Sequence, residues 1–402
     1  MNHPKEPIRS LPVLRATLDT IDRDVLRLFS RRMAIVAEVA AYKRQQGLRI
    51  RDLDRERQML GDRCLQAEDL GLPAGVIESI YRLVLLASRD HQASLRVEVP
   101  PEVEPRSIAI IGGRGGMGQL FARMFSELGH QVWIADRNTE LTPEKAASLA
   151  DVVLISVPIQ ATEEVIERIG PRVRPESLLC DLTSVKQGPM EAMLASCRGS
   201  VVGTHPMFGP GVHVVPGHRV VICRGRGDEW YRWLAQMFRA RGLMVVESNA
   251  RQHDRIMALV QVLNHFQTQV MGLALSRSGV AIEESLAFTS PAYLLESYVT
   301  ARHFAQSPDL YGPIEMLNPR TSEVTESFCK AAQEVALILE SKDQPGFERM
   351  FQEVRDFFGD FTEQALVQSR FLVDRLIELT AGMPHSEGSS STDEILDSSK
   401  TP

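Results

Sequence analysis

Ser107-Ile108-Ala109-Ile110-Ile111-Gly112-Gly113-Arg114-Gly115-Gly116-Met117-Gly118 decides the fold. Five residues of buried-strand type run into a glycine cluster, and Gln119 to Leu128 then has a helical pattern. The spacing Gly113-x-Gly115-x-x-Gly118 lets the backbone turn tightly, approach a pyrophosphate closely and pack a helix on the strand. A second apolar run, Gln131 to Ala135, ends at Asp136, 18 residues past Gly118. A carboxylate there can accept both ribose hydroxyls and would repel a 2′-phosphate, so the pattern predicts NAD over NADP. Arg137 next door weakens that preference a little.

Downstream the alternation continues, with apolar runs at Val152–Val157, Leu178–Leu182, Val201–Gly203, Val220–Cys223 and Met244–Glu247. Short strands alternating with helical stretches predict a Rossmann-like doubly wound sheet over 107–250. Residues 251–380 return to helical spacing, and 381–402 are Ser-rich and read as a disordered tail. Upstream, 8–95 are helical throughout and 96–106 have linker composition, with three prolines between Val97 and Arg106. The expectation is an α/β protein with all-α parts at both ends. A length of 402 residues accommodates these two or three domains.

The totals exclude several classes. A formal net charge of −7 gives no nucleic-acid footprint. No run approaches the ~20 apolar residues of a membrane span, and the start has no apolar signal segment. The five cysteines lack CxxC spacing, which points to reduced thiols in a cytoplasmic protein with neither disulfides nor a metal site.

The first helix holds a second message. Leu14, Leu18, Ile21, Val25, Leu28, Arg32, Val36, Val39 and Lys43 recur at steps of three and four, a core-facing stripe with two cations in it. Stranding a cation in a core costs several kcal/mol, so Arg32 and Lys43 need carboxylates, an escape to solvent, or a bound anion. Asp52-Leu53-Asp54-Arg55-Glu56-Arg57 opens the second helix with more charge. On the third, Ile80, Val84, Ser88 and Gln92 lie four apart, so an apolar face turns polar over its last two turns. Three helices contributing polar groups to one interior predict a small-anion pocket.

In these positions residues 8–95 resemble the all-helical chorismate mutases, including the run Arg-Asp-x-Asp-Arg-Glu-Arg at 51–57. The resemblance implies an intertwined dimer, with Arg15 reaching the partner protomer's pocket. Arg15, Arg32 and Arg55 would clamp the two carboxylates of chorismate. Lys43 and Gln92 would donate to the ether oxygen as it gains charge, and Glu56 and Asp52 would position the ring hydroxyl and the cations, with Ser88 beside them. Where relatives carry Glu in place of Gln92 it must be protonated to donate. An amide donates at any pH, so no acid-requiring titration of the mutase is expected from this position.

Past the fingerprint, Ser156-Val157-Pro158, Asp181-Leu182-Thr183-Ser184-Val185-Lys186 and Gly203-Thr204-His205-Pro206-Met207-Phe208-Gly209-Pro210 each end a predicted strand. Carboxyl ends of parallel strands converge on the switch-point crevice, so Ser156 and Pro158 should border the nicotinamide and Ser184 and His205 could share a substrate. These strings, with Gln261-x-x-x-His265 and Arg302-His303-Phe304-Ala305-Gln306, resemble prephenate dehydrogenase over about 107–375. Nearly the whole chain is thus similar to the bifunctional chorismate mutase/prephenate dehydrogenases of bacterial tyrosine synthesis.

That resemblance implies His205 as general base for the ring hydroxyl, with Ser184 bonding the same hydroxyl and orienting His205. It implies Arg302 as a carboxylate ligand, His265 as a pocket residue, a C-terminal helical dimerisation domain over 251–380, and tyrosine as a feedback inhibitor. Leu294 stands where the family pattern would put an Arg; Arg320 or Asn264 could substitute. Three rivals remain: a β-hydroxyacid dehydrogenase with a helical arm, an arogenate dehydrogenase, and a dimerisation module with a dead pocket. The first usually needs a catalytic Lys on its helical domain, and 251–300 contain none.

Overall fold

A computed structural model describes residues 9–46, 52–94, 104–212 and 215–381. The expected leader, the turn at Gly47, Arg51, most of the linker and the Ser-rich tail lie outside the described residues.

Three helices open the chain: α1 (Leu11–Gln45), α2 (Leu53–Asp69) and α3 (Ala74–Ser94). Asp52 starts α2 as its N-cap, its carboxylate accepting from the Arg55 amide at 3.0 Å, with Asp54 and Glu56 favourably placed in the first turn. The stripe expected to face a core is largely open in the single chain. Val36 and Ala40 are buried, whereas Leu18, Ile21, Val25 and Leu28 stay 42–65% exposed.

All seven expected strands form one sheet: β1 (Ser107–Ile111), β2 (Gln131–Ala135), β3 (Val152–Ile155), β4 (Leu178–Asp181), β5 (Ser200–Pro206), β6 (Arg219–Arg226) and β7 (Met244–Ser248). Their order is β2-β1-β3-β4-β5-β6-β7, parallel except for the β5–β6 pair. Alternation along β1 explains why both faces are covered. Ile108 and Ile110 enter a core with Phe121, Phe125 and Phe238, while Ala109 and Ile111 enter another with Ile166 and Met190. Phe121 and Phe238 are fully buried and meet edge to face at 6.0 Å; each such side chain contributes ~1.5–3 kcal/mol of burial. The order reverses between β1 and β3, which puts the switch point at the carboxyl ends of those strands.

After β7 comes the helix Ala250–Met257, capped by Asn249, then a π-helical segment Ala258–Leu263, then Asn264–Ser276. The further helices are Ile282–Ala287, Pro291–Phe304, Pro308–Met316, Thr321–Glu340, Gln344–Phe358 and Phe361–Ala381. The chain forms two compact units. One extends to Asn264 and includes Pro308–Glu326; the other comprises His265–Ser307 and the helices from Ser327 onward. The sequence pattern starts the helical domain at 251, at the start of the helical run after β7. Periodicity cannot show that the first turns of this helical run pack with the sheet.

Candidate functional site

The glycine loop leaves room for a backbone-bound anion and for little else. Gly112 has φ +80° and its amide donates to Ala135 O at 2.8 Å, so the tight turn falls one residue before the fingerprint's first glycine. A Cβ on Gly112 would lie 2.3 Å from Ser156 O, one on Gly113 2.9 Å from Ile134, and one on Gly118 2.7 Å from Gly113 Cα. Gly115 caps the helix α4 (Gly116–Glu127), whose amino end faces the loop. Asp136 closes the other side: its carboxylate accepts from the Arg114 amide at 3.2 Å and the Arg137 amide at 2.8 Å. Gly113, Gly115, Gly118 and Asp136 therefore form a cradle that fits a dinucleotide. Ser156, half-buried, is joined to β1 through Ile111 O at 2.8 Å, and Pro158 follows it at the rim. Gly116 also packs against Pro210, which sets the His205 loop beside the cradle.

His205 lies near the carboxyl end of β5 and is 3% exposed. Its Nδ1 is 2.9 Å from His253 Nε2, and His253 Nδ1 is 2.8 Å from Asp254 Oδ1. The Asp254 carboxylate also accepts the amides of Lys186 at 2.8 Å and Gln187 at 2.9 Å, at the start of the helix Gln187–Ser196. Burial pushes this carboxyl up, but the bonds from His253, Gln187 and Lys186 outweigh it and hold the acid below its ordinary range. Beside it, fully buried Lys186 pairs with Asp181, whose carboxylate also accepts the amides of Thr183 and Thr204 at 3.0 and 3.2 Å. Burial, with the nearby His253 and Lys186, lowers the His205 pKa well below 6.5. His205 Nε2 faces the amide of Gln261 at 3.5 Å, on the π-helical segment.

Ser184 is half-buried at the end of the β4 loop, and the side chain within hydrogen-bond distance of His205 Nδ1 is His253. His253 and Asp254 were missed in the sequence because a His-Asp pair inside an amphipathic helix has no motif of its own. Gln261 was legible only as part of a string.

In the helical bundle, Arg32 donates to Ser88, and Ser88 in turn donates to Val84 O at 2.5 Å. Among the described residues no carboxylate pairs with Arg32. Burial lowers its pKa, Tyr81 opposes that, and Arg63 adds to it. A half-buried cation whose hydrogen-bond partner is neutral has charge left to offer an anion. Gln92 is 8% exposed with its Oε1 unpartnered, and turning the amide over brings its NH₂ to the same place. Lys43 is half-buried on α1. Glu56 is held by Arg89 at 2.9 and 3.0 Å, a cation the sequence pattern had not singled out. Arg55 lies exposed along its own helix, bonded to Gln58 at 2.8 Å, and Arg15 is exposed.

In the other compact unit, the rings of His265 and His303 are 5.4 Å apart, and Gln269 meets His303 at 3.2 Å. Arg302 is exposed in the last turn of Pro291–Phe304, and Leu294 is buried on the same helix. Arg320, considered as a replacement for the missing Arg, belongs to the sheet-bearing unit and is engaged by Glu323 at 2.5 Å. Asn264 is exposed.

Comparison with known families agrees with this layout. Residues 14–93 match chorismate mutase type II, 126–226 the nucleotide-binding domain of prephenate dehydrogenase, and 249–353 its dimerization domain. The chain is 37% identical to the T-protein of Haemophilus influenzae, over 93% of this chain and 99% of that one. It is 36% identical to the T-protein of Enterobacter agglomerans, over 91% and 98%. Prephenate dehydrogenase from A. aeolicus, solved with hydroxyphenyl propionate and NAD+, has the same fold over 63% of this chain and 97% of its own, with TM-score 0.50 and 17% identity. With a mutase pocket, an NAD cradle and a buried histidine in one polypeptide, the chain belongs to the T-protein family of bifunctional chorismate mutase/prephenate dehydrogenases of tyrosine biosynthesis.

Proposed function

We propose that His205 is the general base of the oxidative step and that its Nε2 takes the proton of the prephenate ring hydroxyl. The observation that carries this is the environment of that nitrogen. It belongs to a buried imidazole kept neutral, at the carboxyl end of a strand beside the NAD cradle, with its other nitrogen tied to His253. NAD, when bound, supplies the hydride acceptor. Ser184 hydrogen-bonds the same hydroxyl, while the Gly113–Gly118 loop and Asp136 hold the cofactor, with Ser156 and Pro158 at its rim. Loss of CO₂ with aromatisation makes the step effectively irreversible, so a base of low pKa suffices. For Arg302 as a carboxylate ligand and His265 as a pocket residue, the support is the resemblance of their sequence strings to prephenate dehydrogenase. Tyrosine carries the same ring hydroxyl as the product, which supports competition at this site.

For the mutase, Arg32 binds a chorismate carboxylate, Lys43 and Gln92 donate to the ether oxygen, and Glu56 with Arg89 borders the ring hydroxyl. Asp52 acts as the α2 cap that fixes Arg55. Arg15 and Arg32 are 17 residues apart on α1, which is ~25 Å of helix. No substrate the size of chorismate spans that, so Arg15 serves a second copy's pocket. The open α1 stripe supports the homodimer, and the free cysteines, three of them buried, support a cytoplasmic setting.

The test follows chorismate loss and NADH gain separately in one reaction. Both should occur, with 4-hydroxyphenylpyruvate accumulating, and His205→Asn should abolish NADH alone. Chorismate loss without NADH would redirect the oxidation to arogenate, and persistence of chorismate would reduce α1–α3 to a scaffold.

A further inference from the structure

The chain His205–His253–Asp254 fixes where every proton on it must sit. Asp254 accepts two backbone amides and is held as the carboxylate, so it can only accept from His253 Nδ1. His253 Nε2 is then a lone pair, and at 2.9 Å it can only accept from His205 Nδ1. The Nε2 of His205 is left unprotonated. At the far end the Gln261 side-chain amide lies 3.5 Å from that nitrogen, and its NH₂ can donate to the lone pair. The opposite tautomer would set two lone pairs against each other between the rings.

We propose that Asp254 and His253 are positioning residues for the oxidation: they hold His205 in its Nδ1–H tautomer and compensate the imidazolium formed when Nε2 accepts the substrate proton. The proposal rests on His205 being the base. In the proton transfer the substrate O–H bond breaks and an N–H bond forms at Nε2, while Nδ1–H stays donated to His253. Charge balance favours it. The charged groups that act on the rings are Asp254, next to His253 on its helix, and Lys186 and Asp181 from β4 and its loop. Lys186, although paired with Asp181, raises the cost of a charge on His205, so the offsetting group is the carboxylate of Asp254, reached through His253. The arriving proton meets that negative charge instead of creating a lone buried cation.

The experiment uses the full-length enzyme, with the chorismate mutase rate as a check that each variant is folded. Asp254→Asn should lower kcat for NADH formation about a thousandfold, as expected when a base is held in the wrong tautomer. The KM values for prephenate and NAD should change little, and the mutase rate should be retained. Because Asp254 also ties down the start of Gln187–Ser196, His253→Gln provides a second variant that leaves those amides satisfied; it should show the same split between kcat and KM. Imidazole 15N shifts of the labelled enzyme should report His205 as Nδ1–H in the wild type and lose that signature in His253→Gln. A wild-type Nε2–H tautomer, or a kcat within about threefold of wild type in His253→Gln, would overturn the proposal. If His205→Asn also retained NADH formation, the base assignment itself would fall; if it did not, the relay alone would.

Discussion

At the residue scale, the two active sites handle protons in opposite ways. As the proposed base His205 must be neutral, and its burial beside His253 and Lys186 lowers its pKa well below 6.5. kcat/KM for prephenate should therefore stay flat as pH falls through 6.5 and drop only below it, which a pH–rate profile at saturating NAD measures. The same shift has a stability consequence. His253 is lowered too, chiefly by burial, with Lys186 adding to it against the hydrogen bond it donates to Asp254. In the unfolded chain both rings take protons near 6.5, whereas the folded protein keeps them neutral. Their contribution is thus complete above ~6.5 and lost as pH falls toward the folded values, because the unfolded state binds more protons in that window. Urea midpoints should fall between pH 6.5 and 5 in the wild type, and by less in His253→Gln. The mutase behaves otherwise. In its proposed role Gln92 donates without titrating, so the mutase rate should lack an acid-requiring limb between about pH 6 and 8. Gln92→Glu should introduce one, with activity recovering as pH falls; a wild-type rate that collapses across that range would remove Gln92 from its role.

At the scale of elements, the glycine loop separates two kinds of constraint. Gly112 combines φ +80° with a Cβ position 2.3 Å from the Ser156 carbonyl, which is backbone and cannot give way. Gly112→Ala should destabilise the dinucleotide domain by more than ~2 kcal/mol, seen as a lower Tm. Gly115 has φ −67° and an Ala Cβ there would meet only Gly112 O at 3.4 Å. Gly115→Ala should fold normally yet lose about tenfold or more in NAD affinity, ~1.4 kcal/mol, because the lost space is the cofactor's. Equal effects of the two substitutions on Tm would refute the distinction. The strands were legible because each is a short apolar run between turn signals, and β1 to β7 all appear where those runs fall. The helix-borne half of the oxidative site was not. His253 and Asp254 are ordinary polar residues of an amphipathic helix until β5 brings His205 beside them. The π-helical segment that carries Gln261 shifts the register that a period of 3.6 assumes. In the mutase pocket, Arg32, Ser88 and Gln92 could be read because cations and amides interrupt an apolar stripe, whereas Arg89 lies off that stripe and its pairing with Glu56 depends on how α2 meets α3.

At the scale of the whole molecule, the open stripe on α1 and the position of Arg15 make the same demand. Leu18, Ile21, Val25 and Leu28 leave a row of apolar side chains facing water along the half of α1 that carries Arg15. Burying such a row against a second copy contributes ~25 cal/mol per Å2 of apolar surface covered. In the proposed arrangement the same docking carries each Arg15 into the other pocket, which would make assembly and catalysis inseparable in the mutase. The consequence can be measured with two inactive variants. Arg15→Ala and Lys43→Ala should each lose chorismate turnover. Mixed in equal amounts and allowed to exchange, they re-form pockets that take Arg15 from one chain and Lys43 from the other. Random pairing leaves about a quarter of all pockets intact, so the mixture should recover about a quarter of the wild-type rate. NADH formation from added prephenate should be unaffected in either parent or the mixture, since neither residue belongs to the oxidative site. If subunit exchange is verified with a tagged chain and no turnover returns, Arg15 serves its own protomer and the trans arrangement is wrong.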